Sequence, residues 1–216
     1  MSASNGGMRN DGETFFSSQP PFPELTADGK LDTVQFLESA AGVVSLVDLF
    51  GKTFAPVKSD MGGNVEKLTK QYNKDKIQNV TLHDMVISEK KAGENFATEA
   101  LLWLKRALHF FQVFLRCVVH DAKEGKHSEN LAPFLKQAYS TTLEKYHGWM
   151  AQQLFSLISR MCPYRKDLLL TMSNGHTGRD DAVFRDLEPF IDSIERIIAI
   201  IDKLYLEQGL DLEVKA

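Results

Sequence analysis

Apolar residues recur at three- and four-residue spacings along most of this 216-residue chain. No stretch alternates apolar and polar residues for long enough to predict a β-strand. Helix start and stop signals stand at the breaks: Asp32 with Gln35 predicts a capped helix up to about Phe50, and Thr81 and Gly93 bound another. The pattern predicts an all-α protein of about eight helices, forming one domain over residues 24–216.

Two helix boundaries are ambiguous in the sequence. The pattern that follows Ser128 predicts either one long helix or two, with a break near His147–Gly148. The last pattern contains Pro189, which can interrupt a helix or divide it into two. Residues 1–23 are instead rich in Ser, Gly, Asn and Pro, a composition that supports little packing, and they predict a mobile arm.

The composition limits the classes of function. A formal net charge of −4 argues against general nucleic-acid binding. Cys117 and Cys162 lie in apolar helical patterns, which favours reduced core cysteines over a disulfide or a metal site. The chain shows no secretory pattern, no apolar run of membrane-spanning length and no common catalytic or phosphate-binding motif. The cytosol is therefore the expected location, and no motif points to catalysis.

A polar row in the second predicted helix is unusual. Asp60, Asn64 and Lys67 stand at i, i+4 and i+7, so they share one helical face beside an apolar stripe. Gly62 and Gly63 interrupt the same helix, and each costs about 1 kcal/mol relative to alanine. Such a row next to apolar surface suggests a binding site, and the glycines suggest close packing.

The fourth predicted helix, residues 97–122, has an apolar arc wider than a surface helix needs. One interpretation is a central helix buried between two layers, and the alternative is that part of the arc lines a cavity. The helix face to which these two interpretations apply contains Trp103, Ala107, Phe110 and Phe114.

His147 shares a predicted helical face with four apolar residues, Leu143, Ala151, Leu154 and Ile158. A histidine in such a place is usually a core residue with one satisfied hydrogen bond, and a functional histidine is the alternative. Trp149 points elsewhere on that helix, where it can be a core residue or an anchor at a membrane interface.

Four segments together resemble the glycolipid transfer protein family: FAPVKSDMGGNVEKL, EALLWLKRALHFFQVFL, KYHGW and PYRKDLL. The resemblance covers roughly residues 33–170. It implies a two-layer all-α sandwich of about eight helices that carries one glycosphingolipid, of the glucosyl- or galactosylceramide type, between membranes. It also implies that the protein is not an enzyme and uses no cofactor or metal. It also implies transient peripheral contact with a membrane surface.

The resemblance assigns roles to particular residues. It implies that the head group is bound by Asp60, Asn64, Lys67, Trp103 and His147. It implies that the hydrocarbon tunnel is lined by Val57, Phe110, Phe114, Leu143 and Phe155. It implies that the membrane is contacted by Trp149, Tyr164, Arg165 and Lys166.

Alternatives remain within the same resemblance. A related branch binds ceramide-1-phosphate, but it carries an arginine where Trp103 stands, so this chain resembles the sugar-binding members. The same pocket would also serve a glycolipid sensor or scaffold, and Asp60 with His147 leaves a lipid-modifying enzyme as a third class. Val214 stands where animal relatives have a tyrosine, which leaves the tail's contribution open. The arm sequence GETFFSSQ faintly resembles a two-phenylalanine motif for an endoplasmic-reticulum receptor.

Overall fold

The computed structural model describes residues 13–210 and 213–215. This part of the chain forms eight α-helices and no strand, which confirms the prediction of an all-α protein. The helices are α1 (Thr33–Asp48), α2 (Ala55–Lys74), α3 (Leu82–Ala92), α4 (Phe96–Lys123), α5 (Ala132–Thr142), α6 (Trp149–Ser159), α7 (Arg165–Met172) and α8 (Asp180–Glu207).

The start and stop signals act as the sequence predicts. The Asp32 carboxylate accepts a hydrogen bond from the backbone N–H of Gln35 at 2.8 Å, so it caps α1. The Thr81 hydroxyl accepts from the N–H of Asp84 at the start of α3. Gly93 ends α3 with φ of 73°, a left-handed conformation that glycine adopts without strain.

The two ambiguous boundaries have different outcomes. The break near His147 is real, because α5 ends at Thr142 and a 3₁₀ turn precedes α6. Pro189 does not divide α8, which is continuous. Pro189 and Arg185, whose carbonyl loses its helical partner, both lie on the exposed side of α8, where water can replace the missing hydrogen bond.

Helix α4 lies at the centre of the fold and contacts α2, α3, α5 and α8. Its polar side faces α8, where Lys105 pairs with Asp202 at 2.6 Å and Arg116 pairs with Asp192 at 2.6 Å. The interpretation of α4 as a buried central helix is therefore correct. The cavity described below is also lined by α4, so the two interpretations hold together.

The prediction of a mobile arm over residues 1–23 is corrected for residues 13–23. Phe15, Phe16 and Phe22 are all buried within the hydrophobic core. Burying three aromatic rings stabilises a segment whose polar composition suggested no packing. Residues 1–12 lie outside the described part of the chain.

The same burial bears on the receptor motif. Thr14 is completely buried and its hydroxyl donates to Asp186 at 2.8 Å. The Phe15 N–H donates to the Met172 carbonyl at 2.8 Å. Because both phenylalanines of GETFFSSQ face the core, this segment presents no free motif to a receptor, and the suggested contact is corrected.

Candidate functional site

A cavity of about 420 Å³ opens between α2, α4, α5 and α6. All five residues implied for the head group line it: Asp60, Asn64, Lys67, Trp103 and His147. Apolar side chains make up most of the remaining wall. The family resemblance therefore selected residues from three separate segments that the fold brings to one cavity.

Helix α2 contributes the polar row as its spacing predicts. Asn64 is buried, while Asp60 and Lys67 on the neighbouring turns are exposed at the cavity mouth. The expectation of close packing at the glycines is wrong. A Cβ atom on Gly63 would meet nothing within 4 Å, and one on Gly62 would lie 3.9 Å from Val44, an ordinary contact.

Trp103 on α4 and His147 face each other with ring centroids 5.9 Å apart and planes 22° from parallel. His147 is not helical, since its φ of −92° and ψ of 131° make it extended. The helical-face argument for His147 was therefore wrong in its geometry. The four apolar residues of that predicted face nevertheless line the same cavity as the imidazole.

The cavity shifts the pKa of Asp60 and the pKa of His147 in opposite directions. Loss of water contact raises the pKa of the Asp60 carboxyl above its ordinary 3.8, against the opposing charges of His147 and Lys67. Although Asp60 is exposed at the mouth, surrounding protein displaces part of its hydration. Burial lowers the pKa of His147 below 6.5, and Asp60 only partly offsets this. Burial thus favours the uncharged form of both groups, and the attraction between their charged forms opposes it.

Arg106 is a site residue that the sequence interpretation missed. Its guanidinium is buried and lies 4.6 Å from the Trp103 ring centroid and 3.5 Å from that of Tyr146. It also donates to the Val214 carbonyl at 2.7 Å, so the C-terminal segment contacts the site through its backbone. The available signal was a cation three residues after a tryptophan, since i and i+3 share a helix face.

Tyr139 was also missed. Its hydroxyl lies 3.0 Å from Nδ1 of His147, and its ring stacks on Phe155 with centroids 3.6 Å apart and planes 6° from parallel. Burial raises the pKa of Tyr139 to about 12, so the phenol stays protonated at neutral pH. The signal in the sequence was weak, because Tyr139 precedes His147 by eight residues with a helix end between them.

Four of the five residues implied for the tunnel line the cavity: Val57, Phe110, Leu143 and Phe155. Phe114 does not, and its assignment is corrected. Phe110 and Phe111 pack edge to face, with centroids 5.1 Å apart, and both line the cavity. Phe114 follows one turn later on α4 and is buried in the core beyond this pair.

Three of the four residues implied for membrane contact are exposed. Trp149 is 73% exposed and Tyr164 is 57% exposed, and Lys166 is also accessible. The neighbouring apolar side chains Met150 and Leu157 are 79% and 60% exposed. We call Trp149, Met150, Leu157, Tyr164 and Lys166 the α6–α7 surface.

Arg165 is the exception, and its assignment is corrected. The side chain is buried, with Nη1 3.9 Å from the Asp121 carboxylate and Nη2 3.3 Å from Nδ1 of His127. It therefore ties α7 to the loop after α4. Its neighbours Tyr164 and Lys166 point to solvent because the helix start at Arg165 turns successive side chains to different sides.

Within residues 13–210 and 213–215, no helix combines the length and the apolar character needed to cross a bilayer. In the same part of the chain, no three His, Cys, Asp or Glu side chains come together as a metal site requires.

Comparison with known proteins agrees with the geometry. The model of the glycolipid transfer protein family matches residues 31–174. The glycolipid transfer protein of Xenopus tropicalis is 31% identical over 92% of this chain and 98% of its own length. The human pleckstrin homology domain-containing family A member 8 is 36% identical over 87% of this chain. The chain spans 37% of the length of that larger relative.

Solved structures give the same result. A structure showing how FAPP2 selects simple glycosphingolipids with the GLTP fold superimposes with a TM-score of 0.83 and 33% identity, covering 94% of this chain and all of that one. Human ceramide-1-phosphate transfer protein shares the fold with a TM-score of 0.77 at 19% identity, over 91% and 93% of the two chains. With a family match over most of its length, relatives above 30% identity and the same fold, the chain belongs to the glycolipid transfer protein family.

Proposed function

We propose that this protein carries a single glycosphingolipid between membranes without changing it chemically. The observation that supports this most directly is one cavity with a polar mouth of Asp60, Asn64 and Lys67 and an apolar interior. That division matches an amphipathic ligand with a hydroxyl-rich head and a hydrocarbon body.

The mouth offers the hydrogen-bonding groups that a sugar needs. The Asp60 carboxylate accepts from hydroxyls and from an amide N–H, while Asn64 and Lys67 donate. Hydrogen bonds to charged groups contribute about 1.5–3 kcal/mol each. The indole of Trp103 lines the cavity and suits the C–H face of a pyranose, and Arg106 against Trp103 holds that ring in place.

His147 is suited to bind the lipid's amide carbonyl. Tyr139 stays protonated, and we assign its hydroxyl as the donor to Nδ1, which puts the imidazole proton on Nε2. A neutral imidazole in this tautomer donates from Nε2 to a carbonyl oxygen. Asp60 thus binds the N–H and His147 the carbonyl of one amide group, which a sphingolipid has and a glycerolipid lacks.

The hydrocarbon supplies affinity but no selectivity. Burying about sixteen methylenes is worth on the order of 13 kcal/mol at roughly 0.8 kcal/mol per group. A bilayer already provides the same gain, so the tunnel alone does not favour the carrier over the membrane. Selection therefore depends on the groups at the mouth.

The mouth favours a sugar over a phosphate. Among the described residues that line the cavity, Lys67 is the only lysine or arginine. Arg106 lies nearby, but its guanidinium contacts the rings of Trp103 and Tyr146 and the Val214 carbonyl. A ceramide-1-phosphate would need more cations at the mouth than this chain provides.

The test is a transfer assay between phosphatidylcholine vesicles with galactosylceramide, glucosylceramide and ceramide-1-phosphate as separate cargoes. We expect net movement of both glycosylceramides, little movement of the phosphorylated lipid and recovery of unaltered cargo. Tight binding with slow transfer would support a sensor instead. A chemically changed lipid would support an enzyme.

We expect Tyr139→Phe to lower affinity for galactosylceramide about tenfold, because Nδ1 of His147 loses the donor that fixes its tautomer. The phenyl ring keeps the stack on Phe155, so the melting temperature should stay near that of the parent. A short-chain soluble galactosylceramide measures affinity without a membrane. Unchanged affinity would show that the Tyr139–His147 contact has no part in binding.

Loading requires contact between the cavity mouth and a bilayer, and we propose that the α6–α7 surface makes it. Trp149 and Tyr164 are amphipathic aromatics suited to the headgroup zone, and Met150 and Leu157 add exposed apolar area. Lys166 adds about 1 kcal/mol of attraction to an anionic surface. Contact through so few groups is reversible, as a carrier requires.

We expect Trp149→Ala to lower vesicle binding and transfer rate about tenfold while affinity for a soluble short-chain glycolipid stays the same. Sedimentation with vesicles and isothermal titration measure the two quantities separately. Leu206→Ala, at an exposed site on α8, serves as the matched control. Equal losses of soluble-lipid affinity and transfer would place Trp149 in the pocket rather than on the docking surface.

A further inference from the structure

The polar row of α2 continues beyond the cavity as a row of lysines. Lys67 lines the cavity, and Lys70 and Lys74 follow it by one and two turns on α2. On α4, Phe96 precedes Trp103 by seven residues, which is two turns or about 10 Å along the axis. The end of α2 and the start of α4 meet here, because Lys70 and Lys74 both lie over the Phe96 ring.

The geometry of this meeting is specific. Nζ of Lys70 and Nζ of Lys74 each lie 5.9 Å from the centroid of the Phe96 ring. Phe96 is 39% exposed, which is unusual for a phenylalanine at the start of a central helix. Both ammonium groups are thus within cation–π distance of the same partly exposed ring.

The charges at this point are not neutralised within the protein. In the part of the chain that the structure describes, neither Lys70 nor Lys74 forms an ion pair with a carboxylate. The chain as a whole carries a formal charge of −4, and seven lysines elsewhere in the described residues pair with acids. Two cations beside one exposed ring, neither of them in an ion pair, are suited to bind an anion.

We propose that Lys70, Lys74 and Phe96 form an outer subsite for an acidic group, a carboxylate or a sulfate, on the outer sugar of the head group. This inference rests on the proposed function, because it takes the first sugar to lie at Trp103. The subsite begins where Lys67 leaves the cavity, so a head group extended along α2 and α4 reaches it. Two ammonium groups then bind one anion with charge-assisted hydrogen bonds.

Position favours a sugar acid over an anionic bilayer as the occupant. The subsite lies on α2 and α4, next to the polar mouth. The surface proposed for docking lies on α6 and α7 instead. A head group bound at the mouth therefore brings its outer residues to these lysines without any second membrane contact.

The experiment compares short-chain soluble lactosylceramide with its sialylated counterpart at low salt, using the parent and Lys70→Gln/Lys74→Gln. We expect the double variant to lose about tenfold in affinity for the sialylated lipid, as two exposed charge interactions allow, and less than about twofold for the neutral one. Lys136→Gln/Lys203→Gln, on α5 and α8, removes the same charge elsewhere and should change neither affinity. Phe96→Leu should give a smaller loss for the sialylated lipid alone.

Each other outcome has a distinct meaning. Equal affinities of the parent and the Lys70/Lys74 variant for the sialylated lipid would overturn the subsite. An equal loss in the Lys136/Lys203 control would reduce the effect to net charge and also overturn it. A loss seen only with phosphatidylserine vesicles free of glycolipid would make the lysines a bilayer contact. Failure of the parent to bind neutral lactosylceramide would overturn the subsite, and failure to bind short-chain galactosylceramide as well would refute the proposed function.

Discussion

Trp103→Ala is expected to abolish transfer of galactosylceramide. The variant loses the ring on which the first sugar is proposed to stack, and with it on the order of 3 kcal/mol of binding free energy, or about a hundredfold in affinity. It also removes one of the two rings against Arg106, but the Tyr146 ring and the Val214 carbonyl still hold the guanidinium. The helical fold should therefore persist.

Trp103→Phe is the matched control, because it keeps an aromatic face next to His147 and Arg106 with a smaller area. Transfer by this variant should fall between those of the parent and Trp103→Ala. Far-ultraviolet circular dichroism and melting temperature measure the fold, and a vesicle transfer assay measures the function. Transfer by folded Trp103→Ala at near the parent rate would remove Trp103 from the site.

Residues whose roles follow from local pattern could be predicted from the sequence. The caps at Asp32 and Thr81 and the left-handed Gly93 depend on neighbours within a few residues, so the sequence shows them directly. The polar row of α2 was visible for the same reason, since helical spacing puts Asp60 and Asn64 on one face. The convergence of three distant segments on one cavity came from the family resemblance, because spacing within one helix says nothing about contacts between helices.

The missed and corrected residues depend on tertiary contacts. Arg106 and Tyr139 acquire their roles from Val214 and His147, which are far along the chain or across a helix break. Arg165 looks like a surface cation in its segment, and its contacts with Asp121 and His127 explain its buried position. Phe15 lies in a polar segment that no periodic pattern marks as part of the core, because its partners belong to later helices.

Asp60→Val should weaken binding of glucosyl- and galactosylceramide at least about a hundredfold, since the variant loses several charge-assisted hydrogen bonds at once. The same substitution should leave the folded protein as stable as the parent or stabilise it. Partial dehydration raises the pKa of Asp60, so the folded protein holds this carboxylate less favourably at neutral pH than the unfolded chain does. The unliganded variant should melt at the same temperature as the parent or higher, and a fall in both binding and melting temperature would indicate a structural role instead.

Acidification tests the same carboxylate without a large change of shape. The lipid's donors need ionised Asp60, whose pKa lies above its ordinary value of 3.8. The parent's affinity should therefore fall as the pH drops through this raised pKa. Asp60→Asn keeps one acceptor oxygen and cannot ionise, so its affinity should be about tenfold lower at neutral pH and nearly independent of pH. The pKa of His147 is lowered, so its protonation also falls in the acid range. A pH dependence of equal size in Asp60→Asn would therefore assign the titration to His147 and contradict the role proposed for Asp60.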